Sequence, residues 1–371
     1  MLRPTQIRIN HGILADNLKL LKACNGVDEF FCPMVKANAY GHGDIEVAHT
    51  VEECGASALG VALVEEGLRL RAAGIRLPIL VFAPFEKSGA SAMLTHQLTP
   101  VLTRFEDIEA LSSLKSKTPT PVHVKFNTGM ARLGFDVAEI PRLRSALAEQ
   151  THLHVSGVCT HLTHGEDAGF SGSVTETQFA RLLSMGEGFS GVRHAHKSAS
   201  LAALVESGSP KAPGIGARPG ISVYGLPYDG SRTAPGLRPI LTWISALVRI
   251  HDVASGEAVG YGARWKATRR SVIGVVPVGY GDGYLRSLGG KAEMLFRGHR
   301  VPIVGSVCMD YIFVDLSAVS ADGRPSPGEE IVLIGRQGQA EISAGELAEK
   351  AGTIAYEIVT NISARVAREA V

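Results

Sequence analysis

The chain has 371 residues, 45% of them hydrophobic and 20% charged, with a formal net charge of +1. This is ample apolar material for a large core and more than one compact core usually holds, so two domains are expected. Lys and Arg are scattered rather than gathered into a basic stripe, which argues against a nucleic-acid partner. The opening MLRPTQIRIN lacks an apolar run, and no later stretch runs 18 residues without a polar side chain, so neither export nor membrane insertion is expected.

Five cysteines, Cys24, Cys32, Cys54, Cys159 and Cys308, stand at no metal-ligand spacing and read as reduced thiols of a cytoplasmic protein. From the N-terminus, short apolar runs alternate with segments of helical periodicity. The first run, Phe30–Lys36 in FFCPMVKANAYGHG, is closed by Gly41 and Gly43 and reads as a buried parallel strand ending on a lysine. Strand carboxyl ends carry the chemistry of parallel α/β folds, and apolar surroundings depress a lysine's pKa, leaving a neutral amine able to condense with an aldehyde. Alone, such a lysine equally fits a side chain that buries its stem and keeps its ammonium in water.

Seven more strands are expected at Ala58–Val61, Ile79–Ala83, Thr99–Leu102, Val122–Phe126, Val155–His161, Arg193–Ser198 and Ile215–Val223. Helical patterns such as Asp44–Glu53, Val64–Ala73, Ile108–Leu114, Thr175–Phe189 and Ser200–Val205 lie between them. Eight such repeats point to an N-terminal (β/α)8 TIM-type barrel; an open doubly wound sheet is the alternative, but no GxGxxG opens its first helix. In a barrel, Lys36, Arg132, His161, Ser198 and Arg218 converge on one mouth suited to an anion. Ser198 and Gly220 lie where such barrels hold phosphate. Taken singly, His161 could be a core histidine, Ser198 a helix cap and Gly220 a turn glycine.

After Pro235, Gly236 and Pro239 the pattern becomes strand-rich, at Leu241–Asp252, Arg270–Val278, Ala292–Phe296, Arg300–Val304, Tyr311–Asp315 and Ile331–Ile334. The division expected is a barrel over 1–236 and a mostly-β domain over 237–371, with one late helix opened by Ser343 and Glu346 as a capping box. Three glycine-flanked stretches, around Tyr261, around Tyr280, and around Met309 and Asp310, present polar or sulfur side chains.

With these residues in place the whole chain resembles the bacterial alanine racemases, pyridoxal phosphate enzymes built of a barrel and a β domain. MVKANAYGHG, KFNTGMARLGF, RPGISVYG, VGYGA, VGYGDGY and GSVCMD resemble the family's motifs and occur in its order. The resemblance implies that Lys36 holds the cofactor and serves as one base, and that Tyr261 of a partner subunit in a homodimer with composite sites serves as the other. It also implies that His161 and Arg218 activate the tyrosine and that Arg218 faces the pyridine nitrogen. Tyr40, Ser198, Tyr356 and the backbone of Gly220 and Ile221 would hold the phosphate. Arg132 and Met309 would meet the substrate carboxylate, Tyr280 and Asp310 would narrow the way in, and Lys125 would be a site of carbamylation. The activity implied is interconversion of L- and D-alanine, feeding peptidoglycan. Lys197 and Ser306 depart from the commonest pattern, where asparagine and arginine are usual, and leave open a racemase of serine or of small amino acids broadly. A barrel-type decarboxylase and a non-catalytic pyridoxal phosphate-binding protein are the remaining alternatives.

Overall fold

The computed structural model describes residues 3–114, 119–169, 171–207, 214–229 and 233–371. Contacts divide them into two compact units: Leu14–Gly225 with Thr233–Arg238, and residues up to Ile13 with Leu226–Arg232 and Pro239–Val371. The first strand, β1 (Gln6–Ile9), therefore belongs with the C-terminal unit, whereas the sequence division at 236 assigned it to the barrel. Register explains the difference: β1 pairs antiparallel with Leu241–Ala246 and parallel with Ala367–Ala370.

In the other unit, β2 (Leu59–Val61), β3 (Ile79–Val81), β4 (Thr99–Leu102), β5 (Thr120–Lys125), β6 (Leu153–Cys159), β7 (Val192–His196) and β8 (Ile215–Ala217) form one sheet in sequence order, all parallel. The strands β2, β3, β4 and β8 are buried at every residue, as expected where helices cover a parallel sheet. Phe31 bridges to Ala217 of β8 and Met34 to Gly60 of β2, which closes the sheet into a barrel. The run expected as a regular first strand is thus two parallel bridges around Pro33, which has no N–H to give a ladder. Cys32, Ala58, Leu80, Val101 and Cys159, from separate segments of the barrel, pack together inside.

The eighth strand ends at Ala217 rather than Val223, because Pro219 and Gly220 turn the chain into a 3-10 turn at Ile221–Tyr224. In the C-terminal unit the expected strand Leu241–Asp252 is two antiparallel-sheet strands, Leu241–Ala246 and Arg249–Val253. The late helix is Ala344–Ala351, with Ser343 Oγ accepting from the Glu346 N–H at 3.0 Å. Glu346 does not close the reciprocal half of a capping box; its carboxylate binds Arg300 at 2.7 Å and Lys350 at 2.9 Å. A second short helix, Ala355–Thr360, follows. Among the described residues no helix is long and apolar enough to cross a membrane.

Candidate active site

Lys36 opens a turn in which Ala37, Asn38, Ala39 and Tyr40 have φ of 53, 55, 50 and 53°. Four consecutive side-chain-bearing residues in the left-handed region carry a penalty of roughly 1–2 kcal/mol each, so surrounding bonds must hold them. The Gly41 N–H donates to Ala37 O and the Gly43 N–H to Asn38 O, both at 3.0 Å. Glu66 accepts from the Ala37 N–H at 2.6 Å and from Ala62 and Leu63 at 2.8 and 3.0 Å, pinning the turn to the loop after β2. Burial, then the charge of Arg132, holds the half-buried Lys36 amine below the ordinary lysine range, with Glu66 opposing.

Apart from Glu66, the neighbouring charges share one sign. Lys125, the last residue of β5, is pushed down to about 8 by burial, with Arg218, Arg132 and Lys36 adding to the shift and Cys159 opposing it. His161, two residues beyond β6, is pushed down to about 2 by burial and then by Arg218, Arg132, Lys125 and Lys197, and so is neutral. Arg132 itself is exposed, in the loop where the Asn127 side chain accepts from the amides of Gly129 and Ala131. Among the described residues, no carboxylate lies within ion-pair distance of Lys36, Lys125, Arg132 or Arg218.

Arg218 is buried, and one guanidinium nitrogen donates to both His194 Nδ1 and His194 O at 2.6 Å while the other donates to Thr160 O at 2.5 Å. The imidazole hydrogen-bonded to Arg218 is thus His194, which sequence reasoning passed over; His161 is coupled to the guanidinium through charge. His194 Nε2 meets His123 Nδ1 at 2.7 Å, and burial followed by the Arg218 charge depresses both rings, His123 to about 4. The signal available was the HAH spacing, which puts His194 and His196 on one face of β7.

Ser198 begins the helix Ser198–Ser207, and its Oγ accepts from the Gly220 and Ser222 amides at 3.0 and 3.3 Å and from Ser222 Oγ at 2.9 Å. A Cβ on Gly220 would run into the Tyr40 hydroxyl, so glycine is what lets these groups meet. Tyr40, Ser198, Gly220 and the adjoining buried Ile221 are thus one cluster of hydroxyls and amides beside a helix N-terminus.

In the C-terminal unit, Tyr261 starts a 3-10 turn between Gly260 (φ 74°) and Gly262 (φ 72°) and is 74% exposed. It lines a groove of about 700 Å³ with Arg249, His251, Cys308, Tyr311 and Phe313. The Tyr280 and Gly281 amides donate to the carbonyls of Cys308 and Met309 at 3.0 and 2.9 Å, so those two glycine-rich stretches form one substructure. Asp310 accepts from Arg365 at 2.6 Å. Tyr356 lies on the helix Ala355–Thr360, its phenol pushed up to about 12 by burial.

The family model for the N-terminal domain of alanine racemase matches residues 9–227, and that for the C-terminal domain matches 240–370. The chain is 39% identical to an alanine racemase of Symbiobacterium thermophilum over 99% of this chain and 97% of that one. It is 36% identical to one of Sorangium cellulosum over 99% of both. Among solved structures it is similar to the alanine racemase of Bacillus anthracis with bound L-Ala-P, at a TM-score of 0.90 and 31% identity, covering all of this chain and 96% of that one. It is similar also to the biosynthetic alanine racemase of Pseudomonas aeruginosa, at 0.86 and 31%, covering both chains completely.

Proposed function

Since the chain belongs to the alanine racemase family and is an isomerase of that family, we propose that it interconverts L- and D-alanine with pyridoxal phosphate, as a homodimer with composite sites. The observation that carries the reading is Lys36, an amine held below its ordinary range among cations with no carboxylate at ion-pair distance among the described residues. A lowered pKa makes the neutral amine easier to reach than in an ordinary lysine, and a neutral amine both attacks an aldehyde and accepts a proton.

The residues fit the cofactor. The cluster of Tyr40, Ser198, Gly220 and Ile221 suits a phosphate, and the missing Cβ of Gly220 is what lets the Tyr40 hydroxyl sit in that cluster. Tyr356 would add a hydroxyl. Arg218, buried with neutral partners, suits a pyridine nitrogen and would keep it unprotonated, because a second positive charge there is repelled. Pyridoxal phosphate, when bound, supplies an electron sink for negative charge at the substrate Cα. Arg218, by keeping that nitrogen neutral, would moderate the sink and so favour return of the proton to Cα.

Lys36 serves one face of Cα, taking or giving its proton, and Tyr261 of the partner subunit serves the other. His161, held neutral, activates that phenol. Arg132 and the Met309 amide orient the substrate carboxylate, and Tyr280 and Asp310 limit what enters. Lys125, whose amine is about half unprotonated near pH 8, is placed to add CO2, losing a proton and becoming an anion between cations. A supply of D-alanine for peptidoglycan, in the cytoplasm, is the role this activity would have.

The test is incubation of the protein, loaded with pyridoxal phosphate, with L-alanine, L-serine and other small L-amino acids, followed by chiral chromatography. D-alanine should accumulate fastest and approach the amount of L-alanine. Faster formation of D-serine would move the substrate assignment, an amine product would favour the decarboxylase alternative, and no conversion would overturn the reading.

A further inference from the structure

The left-handed turn after Lys36 contains one buried titratable side chain that the proposed chemistry does not use. His42 is 1% exposed. Its Nδ1 lies 3.0 Å from Ala39 O and 2.9 Å from Tyr40 O. Carbonyl oxygens only accept, so this nitrogen carries the proton and shares it between them. The ring also stacks on Tyr224, with centroids 4.4 Å apart and planes 21° apart, and Tyr224 in turn packs 5.1 Å from the Tyr40 ring. The Tyr224 hydroxyl donates to Met34 O at 2.8 Å, on the strand that delivers Lys36.

These contacts bind the two ends of the strained turn. Ala39 and Tyr40, two of its four left-handed residues, have their carbonyls tied to one imidazole N–H, and that imidazole is fixed by a ring anchored on the segment before Lys36. Without the imidazole N–H, the Tyr40 carbonyl loses that donor and the Ala39 carbonyl keeps the His42 backbone amide at 3.1 Å while the backbone strain remains, so the turn would relax toward ordinary φ and carry the Tyr40 hydroxyl off Gly220. We infer that His42 is a positioning residue for the cofactor: its Nδ1–H locks the left-handed turn so that Lys36 and Tyr40 are presented to one molecule at once. This rests on the functional reading above.

The experiment is titration of the cofactor-free full-length chain with pyridoxal phosphate, followed by the absorbance of the bound cofactor. His42→Phe, which keeps a stacking ring and deletes the donor, should raise Kd roughly tenfold or more, the loss of a buried hydrogen bond. His42→Asn, whose amide N–H can reach the same carbonyls, should remain within about threefold of the natural chain. Adding Ala37→Gly to His42→Phe should recover much of the binding, because glycine at the exposed Ala37 removes part of the strain the histidine opposes. If His42→Phe does not fold, His42→Asn against His42→Asp asks the same question at constant shape, and only the former should bind well. Binding by His42→Phe or His42→Asp equal to that of the natural chain overturns the inference alone. A natural chain that takes up no pyridoxal phosphate overturns the functional reading and this inference with it.

Discussion

His123, His161 and His194 are all held neutral in the barrel by burial and by the Arg218 guanidinium, although each would titrate near 6.5 in the unfolded chain. The sign of the resulting pH dependence follows from proton counting. Below 6.5 the unfolded chain binds protons that the native barrel refuses, so stability falls as pH drops from 6.5 toward 4, the value for His123. Each histidine that stays neutral removes about 1.4 kcal/mol by pH 5.5. Thermal unfolding should therefore show a lower Tm at pH 5.5 than at 7.5, and His123→Leu should flatten that dependence; an unchanged slope would contradict the assignment of His123 as a refused proton. Lys36, His161, Ser198 and Arg218 could be singled out as candidates because strand ends and turn glycines mark them. His194 could not be separated from an ordinary strand residue, since its partner Arg218 lies 24 residues away and only the barrel's closure brings them together.

At the level of elements, the proposed phosphate cluster depends on two short pieces meeting: the first turn of the helix Ser198–Ser207 and the 3-10 turn Ile221–Tyr224. Gly220→Ala should leave the fold intact, since Gly220 has φ −112°, but push its new methyl against the Tyr40 hydroxyl. Pyridoxal phosphate affinity should fall about tenfold or more, the scale of one or two lost hydrogen bonds, in a fluorescence titration. Undiminished affinity would remove this cluster as the phosphate site. The barrel strands were legible because buried parallel strands are short continuous apolar runs. The break at Pro219 was not, because Ile221 and Val223 continue the apolar run that the proline and glycine interrupt. The left-handed turn after Lys36 was equally hidden: Ala37, Asn38 and Ala39 carry no glycine to announce positive φ, and bonds from Glu66, His42 and the Gly41 and Gly43 amides help make it tenable.

For the whole molecule, the proposed division of the two bases between subunits has a direct consequence. Tyr261 is 74% exposed in the single chain, with Tyr311 of the same groove also about half exposed, an apolar surface of the kind that associates. Lys36→Ala and Tyr261→Phe should each lose racemisation by a factor on the order of 100 to 10,000. Dissociated and reassociated together, they should regain about a quarter of natural activity, because half the dimers are mixed and one of two sites in each is whole. A mixture as inactive as its components would place both bases in one chain.

The placement of β1 bears on how the chain is made. Gln6–Ile9 leaves the ribosome before the barrel unit, whereas its two neighbours, Leu241–Ala246 and Ala367–Ala370, emerge after it. The barrel can assemble on the nascent polypeptide while this strand waits with both edges unsatisfied. Completion of the β unit therefore waits for Ala367–Ala370 to emerge, and deleting that strand would leave β1 with a bare edge.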